Sequence, residues 1–333
     1  MRYPELLKSG DTIGVCAPSS GVPERLLPRF EKAVTNVEAL GYKVIQSDHI
    51  MDGMKCVSAD SETRAAEFMS LYENPNVAAI IPPWGGEFLM DMLQYLDYEK
   101  LAALPAKWLC GYSDTSTLTF VVTVKCGIAS VHGSNFMNMG YNRIHETDLF
   151  AFEAMSNLKP IQYSLPYWGG FSGGDIKGDI YSLTNKSTWK ALDNAERHEF
   201  SGRMIGGCMD TLCKLLGTKY APVDEFLDKY SGDGFIWTLE SCEMNAADIY
   251  RTLWQMRECG WFDHCNGVIY GRADGYSDTH DFTLTDALGY LSVPVLYDAD
   301  IGHIPPQIQI VNGSYGHVVY ENGHAVITQE QIL

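Results

Sequence analysis

The feature that most restricts this chain is a regular alternation of short apolar runs and helix-spaced segments, with glycine or proline at most junctions. Residues 11–17 form an apolar run that ends at Pro18-Ser19-Ser20-Gly21, which predicts a strand and a loop. Residues 26–40 carry helical spacing and stop at Gly41, a natural C-terminal cap, and residues 42–45 read as the next strand. The pattern continues with a helix over 61–72, a buried strand over 77–81 broken by Pro82-Pro83, a helix over 88–95, a strand over 107–110 and a helix over 115–125. Parallel strands need crossover connections, so this order predicts a parallel sheet with helices on both faces.

At 333 residues the chain exceeds what one compact core usually takes, and two domains are expected. The texture changes between about 162 and 196, where Tyr163-Ser164-Leu165-Pro166-Tyr167-Trp168-Gly169-Gly170-Phe171-Ser172-Gly173-Gly174 is rich in aromatics and glycine without helical periodicity. The expected division is therefore an α/β domain over 1–165, a linker or crossover over 166–195, and a mixed α/β domain over 196–333. Within the last, a helix is predicted over 208–216, a strand over 235–239, a helix over 246–259, and strands over 267–270, 295–297 and 317–320.

The formal net charge of −18 repels phosphate backbones, which argues against a nucleic-acid polymer as partner. The N-terminus has no apolar segment of the secretory kind, and no apolar run is long enough for a bilayer, so neither secretion nor a membrane is expected. Nine cysteines at scattered spacing, with no Cys-x-x-Cys, argue against a disulfide framework or structural zinc and fit a reducing cytoplasm.

The segment with the most chemical content is Leu109-Cys110-Gly111-Tyr112-Ser113-Asp114-Thr115-Ser116. A strand runs through a glycine turn into a helix, which lifts Ser113 clear of the sheet beside free N–H groups at the helix N-terminus. This is the logic of a nucleophile elbow, although Thr115 stands where G-x-S-x-G has its last glycine. The competing reading makes Ser113 or Asp114 a helix cap. At a second strand-to-loop junction, Ile80-Ile81-Pro82-Pro83-Trp84-Gly85-Gly86-Glu87, an N–H of Gly86 joins that of Asp114 as a candidate oxyanion hole; the alternative is a tight turn. Losing one such donor typically costs about 3 kcal/mol in the transition state.

A serine nucleophile needs a base, and the base an orienting group. His303 stands in the glycine-proline loop Gly302-His303-Ile304-Pro305-Pro306 after a strand; His132, in Val131-His132-Gly133-Ser134, is its rival. Glu240 ends the strand over 235–239 and is the candidate acid, whereas Glu243 and Asp248 are placed to cap the next helix.

With these segments the chain resembles the LD-carboxypeptidase family of serine peptidases, which includes microcin C immunity hydrolases. The resemblance rests on the opening Lys8-Ser9-Gly10-Asp11-Thr12-Ile13-Gly14-Val15-Cys16-Ala17-Pro18, on Gly111-Tyr112-Ser113-Asp114, on Gly206-Gly207-Cys208-Met209-Asp210-Thr211-Leu212, on Leu239-Glu240-Ser241-Cys242-Glu243, and on Gly302-His303, in that order. It implies Ser113 as nucleophile, His303 as base and then acid, and Glu240 as the group that fixes His303. It also implies an active site between an N-terminal domain bearing the serine and a C-terminal domain bearing the other two, with no metal or cofactor, and a homodimer.

The implied activity is hydrolysis of an amide in a small peptide conjugate: a murein tetrapeptide as in LD-carboxypeptidases, or a peptide-nucleotide as in the immunity branch. The chain departs from peptidoglycan-recycling members, which often carry arginine before the paired glycines and an aromatic after them; here Trp84 precedes and Glu87 follows. Trp84, Trp168 and Trp189 are candidates for stacking on substrate, with interdomain packing as the alternative for the last two, and Arg272 is a candidate for a terminal carboxylate. Two readings outside the family stand beside this one. One is a non-enzymatic two-domain binder; the other is a metal hydrolase built on His132, His145 and Asp148, which lack ligand spacing.

Overall fold

The structure, a computed structural model, describes residues 1–51, 53–172 and 176–332. Gly173 and Gly174 of the glycine-rich stretch lie outside the described residues.

The strand-helix alternation of the first half builds a six-stranded sheet. Lys43–Gln46, Thr12–Val15, Val77–Ile80, Trp108–Gly111 and Ser130–His132 lie side by side in that order and run parallel. The sixth strand, Ile310–Asn312, comes from the far end of the chain and pairs antiparallel with Ser130–His132. The second sheet has eight strands. Its centre, Arg197–Cys208, Phe235–Glu240, Cys265–Gly271 and Val295–Ala299, is parallel. Antiparallel strands flank it: Tyr315–Glu321, His324–Glu330 and Ile161–Tyr163 on one side, Lys190–Ala191 on the other. The fold is thus the expected one, a parallel-sheet α/β half and a mixed α/β half.

Local chemistry starts the helices where the sequence signals them. The Asp60 carboxylate accepts from Thr63 N at 2.8 Å to begin Ser61–Glu73, and the Asn245 side chain accepts from Asp248 N at 2.9 Å to begin Ala246–Glu258. Such caps are worth about 1 kcal/mol each.

Helix Thr115–Cys126 is different. Every residue except Lys125 is buried, so it has no solvent face. A helix apolar all round must be enclosed, and this one is wedged between the sheets. Phe120 stacks on Trp261 with centroids 5.2 Å apart and lies 6.1 Å from Trp237, joining the two halves in one apolar core. Two of its hydroxyls are satisfied locally, Thr123 Oγ1 donating to Ile128 O at 3.0 Å and Thr119 Oγ1 to Ser116 O at 3.3 Å. The sheets are therefore held together through the helix that begins just after Ser113.

Three elements differ from expectation. Residues 88–95 form a 3-10 helix, Leu89–Tyr95, and residues 208–216 a short α-helix, Met209–Leu212, followed by a 3-10 turn, Cys213–Leu215. Within 166–195 the described residues include regular strands. Tyr167–Phe171 and Tyr181–Lys186 form an antiparallel hairpin whose strands approach so closely that a Cβ on Gly169 would lie 1.8 Å from Ser182 O. Its glycines mask the period-two pattern that marks a strand. All nine cysteines are free. Among the described residues no helix is long and apolar enough to cross a membrane.

Candidate active site

Ser113 has φ +63°, a left-handed conformation that a residue with a Cβ adopts at a cost of about 1–3 kcal/mol. Neither Ser113 nor Asp114 caps the following helix through its side chain. Asp114 instead accepts from Ser19 Oγ at 2.5 Å and Leu89 N at 2.9 Å, tying the turn to two neighbouring loops. Burial raises its pKa, against the pull of those hydrogen bonds.

The paired glycines press on this turn. A Cβ on Gly85 would lie 2.7 Å from both Asp114 N and Ser113 Cβ; one on Gly86, at φ +149°, would lie 2.3 Å from Ser20 Oγ. Both positions thus lack room for a side chain. Among the described residues the N–H groups of Gly86 and Asp114 have no internal acceptor.

Across the seam, Glu240 ends its strand fully buried, and Gly302 at φ +97° lets the next loop close onto it. His303 Nδ1 lies 2.9 Å from Glu240 Oε2, and Nε2 has no hydrogen-bond partner. Burial works against the charge on His303, but the Glu240 carboxylate overcomes it and lifts the imidazole well above its ordinary value. Burial likewise works to raise Glu240, and the field of His303 prevails to lower it. Tyr112 presents its ring edge-on to His303 at 5.1 Å.

Ser113, Gly86, Glu87 and His303 line both of two adjoining cavities, of about 970 and 510 Å³, so the serine and the imidazole stand where two lobes of one cleft meet. Asp114, Cys208, Asp210 and Glu243 face the larger lobe; Trp84, Arg25, Tyr112 and Asn135 face the smaller. Trp84 is half-buried there, with Nε1 donating to Gly21 O at 3.1 Å.

Trp189 and Arg272 line neither lobe, a correction to the expectation that they touch substrate. Trp189 is buried and donates from Nε1 to Asp300 Oδ2 at 2.7 Å. Arg272 is buried against Asp300 Oδ1 at 2.6 Å and also donates to Ser187 Oγ. A buried carboxylate needs a counter-charge and donors, and these residues supply them. Trp168, on the hairpin, covers this group with its ring 5.6 Å from the Arg272 guanidinium and does not line either lobe.

The metal reading fails on pairing. Asp148 accepts from Ser134 Oγ at 2.6 Å and Tyr181 Oη–H at 3.0 Å, His145 caps a helix, and His132 bonds Ser116, so the three are spent separately. Cys208, Glu240 and His303 do place donor atoms within 4.8 Å of one another. There, however, Glu240 is engaged by His303, and the Cys208 thiol, whose pKa burial pushes up, donates to Asp210 Oδ2 at 3.6 Å.

Sequence reasoning missed Asp210, whose carboxylate accepts from Cys242 N at 2.9 Å and Glu243 N at 3.0 Å and so fixes the loop leaving Glu240. It also missed Ser19 as the partner of Asp114. Asp210 lies within the 206–212 segment that carries the family resemblance, but neither that segment nor its place at the start of a helix signals a role.

A strained serine on a strand-to-helix turn, in a two-sheet α/β fold and facing a buried carboxylate–imidazole pair, defines a protein of the serine-hydrolase class. Comparison with known proteins agrees at the level of family. The LD-carboxypeptidase N-terminal domain matches residues 13–133 and the LD-carboxypeptidase C-terminal domain matches residues 201–318; the chain belongs to this family. A Vibrio cholerae protein named as a carboxypeptidase is 26% identical over 97% of this chain and 96% of its own. The microcin C7 self-immunity protein MccF of Escherichia coli is 26% identical over 98% and 95%. Among solved structures, an MccF-like protein from Bacillus anthracis superposes with a TM-score of 0.84 at 24% identity, covering both chains fully, which shows a shared fold.

Proposed function

We propose that this chain is an LD-carboxypeptidase that uses Ser113, His303 and Glu240 to cleave the amide before the terminal D-residue of a murein tetrapeptide. One observation carries this reading: His303, with Nδ1 held by buried Glu240 and Nε2 free of any hydrogen-bond partner, lines the same cleft as Ser113. His303 Nε2 takes the proton of Ser113 Oγ as the oxygen attacks the carbonyl, and the Gly86 and Asp114 N–H groups receive the oxyanion. The imidazolium then protonates the leaving amine. Water, deprotonated by the same nitrogen, attacks the acyl-enzyme, and Ser113 leaves with its proton restored. Glu240 stays ionised throughout and stabilises the imidazolium.

A second substrate has support of its own. The 26%-identical microcin C7 self-immunity protein suggests a peptide-nucleotide conjugate, with Trp84 at the smaller lobe supplying an aromatic face. Incubation with a murein tetrapeptide and with a peptidyl-adenylate analogue, read by mass spectrometry, separates the two. Loss of the terminal D-residue from the first, absent in Ser113→Ala, supports the reading. Turnover of only the second replaces the substrate, and a fully active Ser113→Ala removes the mechanism. A ligand binder without chemistry would turn over neither.

A further inference from the structure

Glu240 has two oxygens, and the reaction described so far uses one. Oε2 accepts from His303 Nδ1; Oε1 is fully buried and has no hydrogen-bond partner. A buried carboxylate oxygen without a donor costs about 1–3 kcal/mol or more, so the surroundings of Oε1 call for an explanation. The group facing it is His132 Nε2, 3.9 Å away, itself buried and without a partner.

The protonation of His132 follows from its other nitrogen. Ser116 Oγ accepts from Cys208 N–H at 3.2 Å, and its remaining partner is His132 Nδ1, also at 3.2 Å. Nδ1 is the acceptor in reach of the hydroxyl's own hydrogen, and that pairing assigns a bare Nδ1. The proton of the neutral ring then sits on Nε2, aimed at Glu240 Oε1. Burial lowers the pKa of His132 to about 4, against the pull of Glu240 and with the help of His303, so the ring is neutral near pH 7. The Cys208 thiol, whose hydrogen bond helps lower Glu240, also reaches Asp210 Oδ2 at 3.6 Å. His132 Nε2 is the nitrogen donor that faces Oε1.

We propose that His132 is a positioning residue for this reaction: as the Nε2–H tautomer, set by Ser116, it donates to the second oxygen of Glu240 and so holds the carboxylate that aligns His303. The contact is about 1 Å longer than a direct hydrogen bond, and a small rotation of either side chain closes it. The chain Cys208 N–H, Ser116, His132, Glu240, His303 starts in the second sheet, crosses to the buried helix and the first sheet, and returns. Relative placement of the sheets therefore reaches the base through it. The assignment rests on Ser113, Glu240 and His303 acting as proposed above.

The consequence is a tuned base. A donor on Oε1 draws charge from Oε2 and weakens its hold on the His303 proton. The other groups facing His303 are Tyr112, Cys242 and the Cys208 thiol, and none of them changes in the variants below. His132→Leu removes the donor. Its kcat/KM at neutral pH falls, and the acid limb of its pH profile moves up by about one unit. His132→Gln keeps an amide N–H near the Nε2 position and returns the limb toward that of the parent. A packing role alone lowers activity or stability in both variants and leaves the limb in place, which would overturn the proposal.

Nitrogen-15 NMR of the unmodified protein tests the tautomer without any variant having to fold, with His132→Gln serving to assign the signals. A protonated Nε2 and bare Nδ1 at pH 7 are expected, and the reverse sinks the proposal. Failure of the triad reading itself would appear separately, as activity that survives Ser113→Ala.

Discussion

Replacing Gly302 by alanine places a single methyl group against the pair that drives the proposed chemistry. The new Cβ would lie 2.6 Å from Glu240 Oε2, while ordinary contact begins near 3.4 Å, so the carboxylate or the His303 loop must retreat by about 0.8 Å. The backbone, at φ +97°, adds strain of roughly 1–2 kcal/mol for any residue with a Cβ. Gly10→Ala isolates that second effect, because Gly10 has φ +93° and a Cβ there meets nothing within 4 Å. Both variants should melt a few degrees below the parent. Only Gly302→Ala should lose catalysis, by about 100-fold in kcat, the scale expected when a catalytic group moves by about 1 Å. Steady-state hydrolysis of one peptide substrate, with thermal unfolding in parallel, measures both. Equal kcat/KM values for the two variants would show that the spacing of Glu240 and His303 does not matter to turnover.

Other outcomes follow from the same geometry. Because Glu240 raises His303 above its ordinary 6.5, kcat/KM should climb with pH along an acid limb above pH 6.5, and a limb below that value in steady-state assays would contradict the ion pair. Stability runs the other way. The contribution of the raised His303 is complete below 6.5 and lost as pH rises through its folded value, whereas that of the lowered Glu240 is complete above 4.5 and lost as pH falls through its own, so denaturant midpoints attributable to the pair should peak between 4.5 and 6.5. Arg272→Met leaves Asp300 buried without its counter-charge and should cost about 3–5 kcal/mol in denaturant unfolding with KM unchanged. A raised KM at normal stability would instead return Arg272 to substrate binding. Glu240→Gln should lower kcat by orders of magnitude while the fold persists, since the amide can present the wrong partner to His303 Nδ1; wild-type kcat would remove Glu240 from the mechanism.

How much of this was written in the sequence varies by segment, for physical reasons. The strand, glycine turn and helix around Ser113 are local, and local pattern suffices to expect a raised serine there. The carboxyl end of the strand at Glu240 is equally local. His303 has no periodic signal; its glycine-proline loop after a strand set it apart with His132 as rival, and the family resemblance pointed to His303. What stayed hidden depends on partners far along the chain. Ile310–Asn312 returns to the first sheet beside His132 across nearly two hundred residues. Arg272, Trp189 and Ser187 converge on Asp300, which turns two expected substrate contacts into a buried polar cluster. The hairpin over 167–186 escaped because glycines interrupt its alternation. His132, weighed as a rival base and as a metal ligand, comes to face Glu240 because the two sheets meet along one buried helix.

Labelling by a fluorophosphonate, followed by peptide mapping, goes most directly to the proposed nucleophile. One adduct per chain should form, on Ser113, and its rate should fall sharply in His303→Ala. An adduct on another serine, or no adduct under conditions where the parent hydrolyses peptide, would contradict the account.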